Sequence, residues 1–240
     1  SDLHDNEFGP DNVRLKEAID KIHPDGVLSG GDIIVTKGRT SLRTALSLFA
    51  YLTARYPVYC ANGNHESRMT WKRTIYGGQY ERYQKALRDM GAVCLEDSSA
   101  MLDEDIRITG VDLDEKFYKK IFFGRPVSME RGYLEKKLGK AGEEEAFQIL
   151  LAHSPLYFEA YASWGADLTL SGHYHGGTIR IPGLGGVMTP QYQFFLPQCA
   201  GTFRKGEKIM VVSRGLGTHS INIRLNNRPQ LVVLRLRSGK

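Results

Sequence analysis

At 240 residues, with 41% apolar and 25% charged side chains, the chain is long enough to bury a core without disulfides, which excludes intrinsic disorder. Its apolar runs are short, as in Phe147 to Ala152, far below the ~20 residues of a membrane-spanning helix. The net charge of +5 is spread out, with Lys119-Lys120 and Lys136-Lys137 the tightest basic pairs; that suits an anionic substrate such as a phosphate ester and speaks against a nucleic-acid partner.

In chain order, apolar spacing predicts a helix over 10–23, a strand over 25–35, a helix over 41–56 and a strand over 57–60. A long helix over 68–90 ends at Met90-Gly91, and strands follow over 92–95 and 106–111. A helix over 127–138 and a solvated stretch over 140–145 lead into strands over 147–152, 166–170, 178–181, 208–213 and 230–236. Early strands alternate with helices and late strands follow one another. The expected fold is therefore α/β, two packed mixed β-sheets flanked by helices, in one domain over 1–240. Cys60, Cys94 and Cys199 are scattered with no CxxC pair and read as buried thiols, which mildly favours a reducing compartment.

Five short segments fall at predicted strand ends, where ligands gather in sheet-based α/β proteins. They are Asp2-Leu3-His4, Gly30-Gly31-Asp32, Gly63-Asn64-His65-Glu66, His153 and Gly172-His173-Tyr174-His175. A Gly-Asn-His-[Asp/Glu] run arises by chance in about one chain in several hundred, whereas a lone His153 is by itself more often structural. Five of the seven histidines lie in these segments. His23 reads as a surface residue, and His219 lies in a glycine-rich turn. Two Asp, one Asn and four His form a mixed oxygen and nitrogen donor set, wrong for a calcium cage or a cysteine-zinc knot. It suits Mn, Fe, Co, Ni or Zn, and seven donors fit two ions that share a carboxylate.

The ordered set Asp-x-His, Gly-Asp, Gly-Asn-His-[Asp/Glu], His, Gly-His-x-His resembles the calcineurin-like metallophosphoesterase family over Asp2 to His175. Downstream, 172–181 (GHYHGGTIRI) and 212–218 (VSRGLGT) resemble the branch of membrane-associated bacterial phosphoesterases of the YkuE and YaeI type, some of whose relatives hydrolyse UDP-diacylglucosamine. The resemblance implies a four-layer sandwich and two divalent ions, with manganese favoured. Asp2, His4 and His175 would hold one ion, Asn64, His153 and His173 the other, with Asp32 bridging. A metal-bridging hydroxide would then attack a phosphodiester or pyrophosphate. His65, outside the metal shell, would stabilise charge or protonate the leaving oxygen, and Glu66 would orient His65.

Glu66 stands where the family more often has Asp, and Tyr174 where it often has Thr; as a spacer, Tyr174 is expected to matter little. The family's first strand normally precedes the Asp-x-His segment, so the sequence is expected to be trimmed or incompletely represented, and the full-length protein to be membrane-associated. Arg125 and Arg214 are weaker phosphate-binding candidates, with surface ion pairing as the alternative. The same ligand set would serve a nuclease, a cyclic-nucleotide phosphodiesterase or a scaffold without turnover. The segment 182–203 holds Leu184, Val187, Met188, Tyr192, Phe194, Phe195 and Leu196 with no charged residue. It is expected to cover a sheet edge or to form an apolar rim for an acyl chain or bilayer beside the metals.

Overall fold

The computed structural model describes residues 1–38, 40–119, 126–141, 146–177, 179–181, 183–189, 193–218 and 223–237. Helix α1 (Val13–Asp20) is shorter than its apolar pattern, because Asp11 and Asn12 take positive φ (51° and 57°) and the regular helix begins after them. Strand β1 (Val27–Ser29) covers only the start of its predicted run. Gly31 and Asp32, at φ 86° and 55°, turn the chain out of the sheet. Helix α2 (Arg43–Thr53) buries Ala45, Leu48, Phe49 and Leu52, the i, i+3, i+4, i+7 stripe that its sequence announces.

Strand β2 (Val58–Ala61) leads into α3 (Asn64–Trp71), α4 (Arg73–Tyr76) and α5 (Gln79–Asp89). The single helix expected over 68–90 is thus three, broken at Lys72 (φ −120°) and at the Gly77-Gly78 pair. Next come β3 (Val93–Leu95), β4 (Ser98–Asp103), β5 (Ile106–Val111), a 3-10 turn at Glu115–Tyr118 and α6 (Tyr133–Leu138), which starts only after Gly132 at φ 81°. Strand β6 (Phe147–Ala152), helix α7 (Phe158–Trp164) and β7 (Leu168–Ser171) follow. The chain ends with the short β8 (Arg180–Ile181) and β9 (Gly185–Gly186), then β10 (Gly201–Lys205) and β11 (Lys208–Val212).

Strands β1-β2-β3 form a parallel sheet, and β10-β11-β7-β6-β5-β4 a mixed one with antiparallel pairs at both edges. Residues 148–152 of β6 are all buried, as expected where both faces of a parallel strand are covered. Tyr59, Ala61 and Leu95 of the small sheet meet Ile108, Ile149, Leu151 and Leu168 of the large one. The α1, α2 and α5 side chains cover the outer face of the small sheet, and α6 and α7 that of the large one. Helix, sheet, sheet, helix gives the four layers.

Residues 230–236, predicted as a strand, have no ladder partner. They line a cavity of about 830 Å³ between the sheets, against Val27, Leu28, Tyr59, Ile149, Leu151 and Leu170. None of the candidate metal ligands lines this cavity. Among the described residues no helix is long and apolar enough to cross a membrane.

Candidate metal centre

Each candidate ligand follows the carboxyl end of a strand or the segment paired beside it. Asp32 comes after β1, Asn64 opens α3 after β2, His153 follows β6, and His173 and His175 follow β7. The Asp2–His4 segment is laid alongside by Asp2 N–H to Gly31 O (2.9 Å) and His4 N–H to Asp32 O (3.1 Å). Asp2, His4, Asp32, Asn64, His153, His173 and His175 are all buried. Donor atoms of Asp2, His4 and His175 lie within 4.8 Å of one another, as do those of Asp32, His153 and His173. His65 also meets this criterion with His4 and Asp32.

Backbone contacts aim these donors. Asp32 Oδ1 accepts the His65 N–H at 2.7 Å. Its Oδ2 therefore faces inward, 3.7 Å from His4 Nε2 and 3.1 Å from His153 Nε2. Asp2 Oδ1 accepts the His173 N–H (3.0 Å) and lies 3.4 Å from His175 Nε2 and 3.7 Å from His153 Nε2. His153 Nδ1 faces the Gly30 carbonyl at 2.8 Å and His175 Nδ1 the Gly217 carbonyl at 3.2 Å. A carbonyl only accepts, so both Nδ1 atoms carry a hydrogen, and each ring turns its Nε2 inward, where the neutral form would offer a lone pair to a cation. His4 Nε2 and His175 Nε2 stand 3.1 Å apart.

This convergence is electrostatically incomplete without a cation. Burial alone would raise the Asp32 carboxyl, but His153 and His65 beside it hold it well below the usual range. Burial would lower His153, yet the Asp32 carboxylate lifts it to about 9. Asp2 Oδ2 and Asn64 Oδ1 are buried with no hydrogen-bond partner. Two buried carboxylates, inward imidazole lone pairs and orphaned oxygens fit divalent ions of borderline hardness.

Gly31 and Gly63 are there for space. A Cβ on Gly31 would meet Gly63 N at 2.1 Å, and one on Gly63 would meet Asp32 Oδ1 at 2.2 Å. Glu66 does something other than its expected task. Its Oε2 accepts from Asp32 N (2.7 Å) and Gly63 N (2.9 Å), its Oε1 from Ile33 N (2.9 Å) and Ile34 N (3.3 Å). It stitches the two ligand loops together. His65 Nδ1 instead accepts the Thr36 backbone N–H at 2.9 Å, so the orienting residue is Thr36. With Nδ1 accepting, the neutral ring carries its hydrogen on Nε2; burial, with Arg68 adding, lowers His65 to about 4 and keeps it neutral.

Sequence reasoning missed Thr36, Asn227 and Arg224. Asn227 Nδ2 donates to the carbonyls of His175 and Gly177, each at 2.6 Å. Arg224 donates to the carbonyls of Gly217 and Arg214. Gly217 N–H in turn holds Asp2 O at 2.6 Å, so the 212–218 motif pins the first ligand segment. Only the proximity of 212–218 to the ligand motifs could have pointed to them. Tyr174 is more than a spacer: it is fully buried, and its hydroxyl donates to Gln193 at 3.3 Å. Arg214 lies against Gly176, and His23 is exposed, as expected. Arg125, Tyr192 and His219 lie outside the described residues.

The calcineurin-like phosphoesterase family pattern matches residues 1–177. The chain is similar to an uncharacterized metallophosphoesterase, YkuE, of Bacillus subtilis (strain 168), 27% identical over 225 residues, 92% of this chain and 70% of that protein. It is 25% identical over 243 residues to the phosphodiesterase YaeI of Escherichia coli (strain K12), 98% of this chain and 80% of that one. YkoQ, another uncharacterized metallophosphoesterase of Bacillus subtilis (strain 168), shares 23% over 189 residues, 78% and 62% of the two chains. No solved structure matches significantly. Clustered buried Asp and His donors, the helix–sheet–sheet–helix layers and the family match agree: the chain belongs to the calcineurin-like phosphoesterase family and is a metal-dependent hydrolase of phosphoric ester bonds.

Proposed function

We propose that the protein cleaves phosphodiester or pyrophosphate bonds with two divalent ions that share Asp32. The observation that carries this reading is the position of Asp32 Oδ2, which faces His4 of one donor group and His153 of the other. Asp2, His4 and His175 would hold one ion, Asn64, His153 and His173 the second. When bound, such ions supply Lewis acidity toward the phosphoryl oxygens and activate water at neutral pH. The protein's own part is to set geometry and protons. The Gly30 and Gly217 carbonyls fix the imidazole tautomers, and the Glu66 carboxylate holds the Asp32 and Gly63 loops in register. His65, neutral with its hydrogen on Nε2, donates to the phosphoryl group or to the departing oxygen. Manganese is the favoured ion by family resemblance.

A lipid-linked diester is the substrate class we favour. Leu184, Phe194 and Phe195 are 68%, 61% and 57% exposed. Phe194 adjoins Gln193, which is bonded to Tyr174 between the two candidate histidines, and that link supports an apolar rim on this side of the fold. Manganese-loaded protein should turn over bis(p-nitrophenyl) phosphate faster than p-nitrophenyl phosphate. Replacing Phe194 and Phe195 with Ser should weaken hydrolysis of a nucleotide-lipid diester in vesicles at least tenfold more than that of the soluble diester. Equal losses on both, with a lower melting temperature, would reduce the segment to core packing.

A further inference from the structure

Strands β2 and β3 are parallel neighbours whose register sets Cys60 opposite Cys94. The two side chains, 34 residues apart in sequence, leave the sheet on the same face, and the sulfur atoms stand 3.4 Å apart. The scattered cysteines of the sequence are here a thiol pair. We propose that Cys60 and Cys94 are a redox-active dithiol that closes to a disulfide between β2 and β3.

Access and ionisation are divided between the two. Cys94 is half-buried and Cys60 is buried, so an oxidant meets Cys94 first. Cys60 Sγ lies within hydrogen-bond distance of both Cys94 Sγ (3.4 Å) and the Val93 carbonyl (3.6 Å), and the contact with Cys94, helped by Arg88, lowers the Cys94 thiol against the effect of burial. The thiolate is the reactive form. With a peroxide, the Cys94 thiolate attacks one oxygen, the O–O bond breaks, and hydroxide leaves to take up the proton the thiol had lost. The product is a sulfenic acid. The Cys60 sulfur then attacks the Cys94 sulfur, the S–O bond breaks, and the Cys60 proton leaves with the hydroxyl as water. Two thiols and one peroxide yield one disulfide and two waters, the sulfurs losing two electrons between them.

Closing the bond ties β3 to β2 at Cys60, so that movement of either strand is carried to the other. Strand β2 runs through Asn62 straight into Gly63, whose Cα packs against Asp32 with no room for a Cβ. Displacement at Cys60 is therefore felt at Asn64 and Asp32. This consequence for turnover rests on the proposed function; the disulfide does not. Cys199, buried on its own and raised to about 11 by burial, is an internal control.

The test treats manganese-loaded protein with one to ten equivalents of hydrogen peroxide, and in parallel with diamide, which takes the same two electrons and two protons. Remaining thiols are alkylated, and peptides are mapped without reduction. The expected result is a loss of 2 Da (two hydrogens), one peptide linking Cys60 to Cys94, and alkylated Cys199. Turnover should fall at least fivefold and return with dithiothreitol. Neither Cys94→Ser nor Cys60→Ala, each checked for native circular dichroism, should yield the linked peptide. Cys60 and Cys94 recovered alkylated, or singly oxidised to sulfinic acid, overturns the proposal. A linked peptide with unchanged turnover overturns the coupling to the metal loop. Absence of phosphoesterase activity before oxidation would count against the proposed function and leave the mass result decisive for the dithiol.

Discussion

Glu66 accepts four buried backbone N–H groups from two loops, a demand that a shorter or neutral side chain does not meet. Burial and the nearby Asp32 charge raise its carboxyl to about 7, and the backbone N–H groups of Asp32 and Gly63 work against that rise. Glu66→Gln turns an N–H₂ toward amides that need an acceptor. Each buried group left unsatisfied costs about 1–3 kcal/mol. The variant should therefore lose at least ~2 kcal/mol of unfolding free energy in urea; a loss below ~0.5 kcal/mol, within the scatter of surface substitutions, would contradict the stitching role. For His65, removal of a proton-donating group should slow turnover by about 10²–10⁴-fold. His65→Ala should retain both metals by elemental analysis and lose less activity on diesters with very acidic leaving groups. Metal loss would make His65 a ligand.

Asp112, which is not among the candidate metal ligands, offers a pH test. Burial is the main cause of its rise to about 7, although Asn62 donates to it at 2.8 Å. The folded carboxyl binds its proton more tightly than the unfolded one, so its contribution is fully present below about pH 4 and is lost as pH rises through 7. Asp112→Asn should remove that slope in metal-free protein, narrowing the urea-stability difference between pH 5 and pH 8 by about 2–4 kcal/mol relative to wild type. An unchanged pH dependence would contradict the assignment. The residues that converge in the buried cluster were legible in the sequence because Asp-x-His and Gly-Asn-His-Glu are contiguous. Thr36, Asn227 and Arg224 were not, because they act through backbone groups or from distant loops, which no local pattern records.

Among the elements, those with one dry face and one wet face were readable. Helix α2 falls where periodicity puts it, its buried residues repeating at the helical period, and β5 and β6 are instead short continuous apolar runs covered on both faces. Strands β4 and β10 were missed. They are the edges of the large sheet, largely exposed, and carry no strong apolar signal. The breaks after 29 and before 13 were missed because Asp and Asn, not Gly alone, adopt positive φ there. The loop glycines yield a prediction at this scale. Gly63→Ala forces a methyl against Asp32 backbone and carboxylate at 2.2–2.7 Å. It should lower stability by about 1–3 kcal/mol and weaken metal binding at least tenfold in a chelator competition, whereas Gly38→Ala, with open space around its Cβ but φ 83°, should affect stability without touching metal affinity.

At the scale of the molecule, two sheets direct their strand ends and connecting loops toward one buried cluster, and a cavity of about 830 Å³ remains between them. Ser1 lines that cavity. Strand β1 pairs on one side only, with β2, among the described residues.

The dinuclear centre on Asp32 is most directly tested by metal stoichiometry in Asp32→Asn, which keeps the side chain's shape and removes its negative charge. Elemental analysis of protein reconstituted with manganese should give two ions per wild-type chain. The variant should give no more than one, with most diesterase activity lost. Two ions per variant chain with near-normal turnover would contradict a centre built on that shared carboxylate.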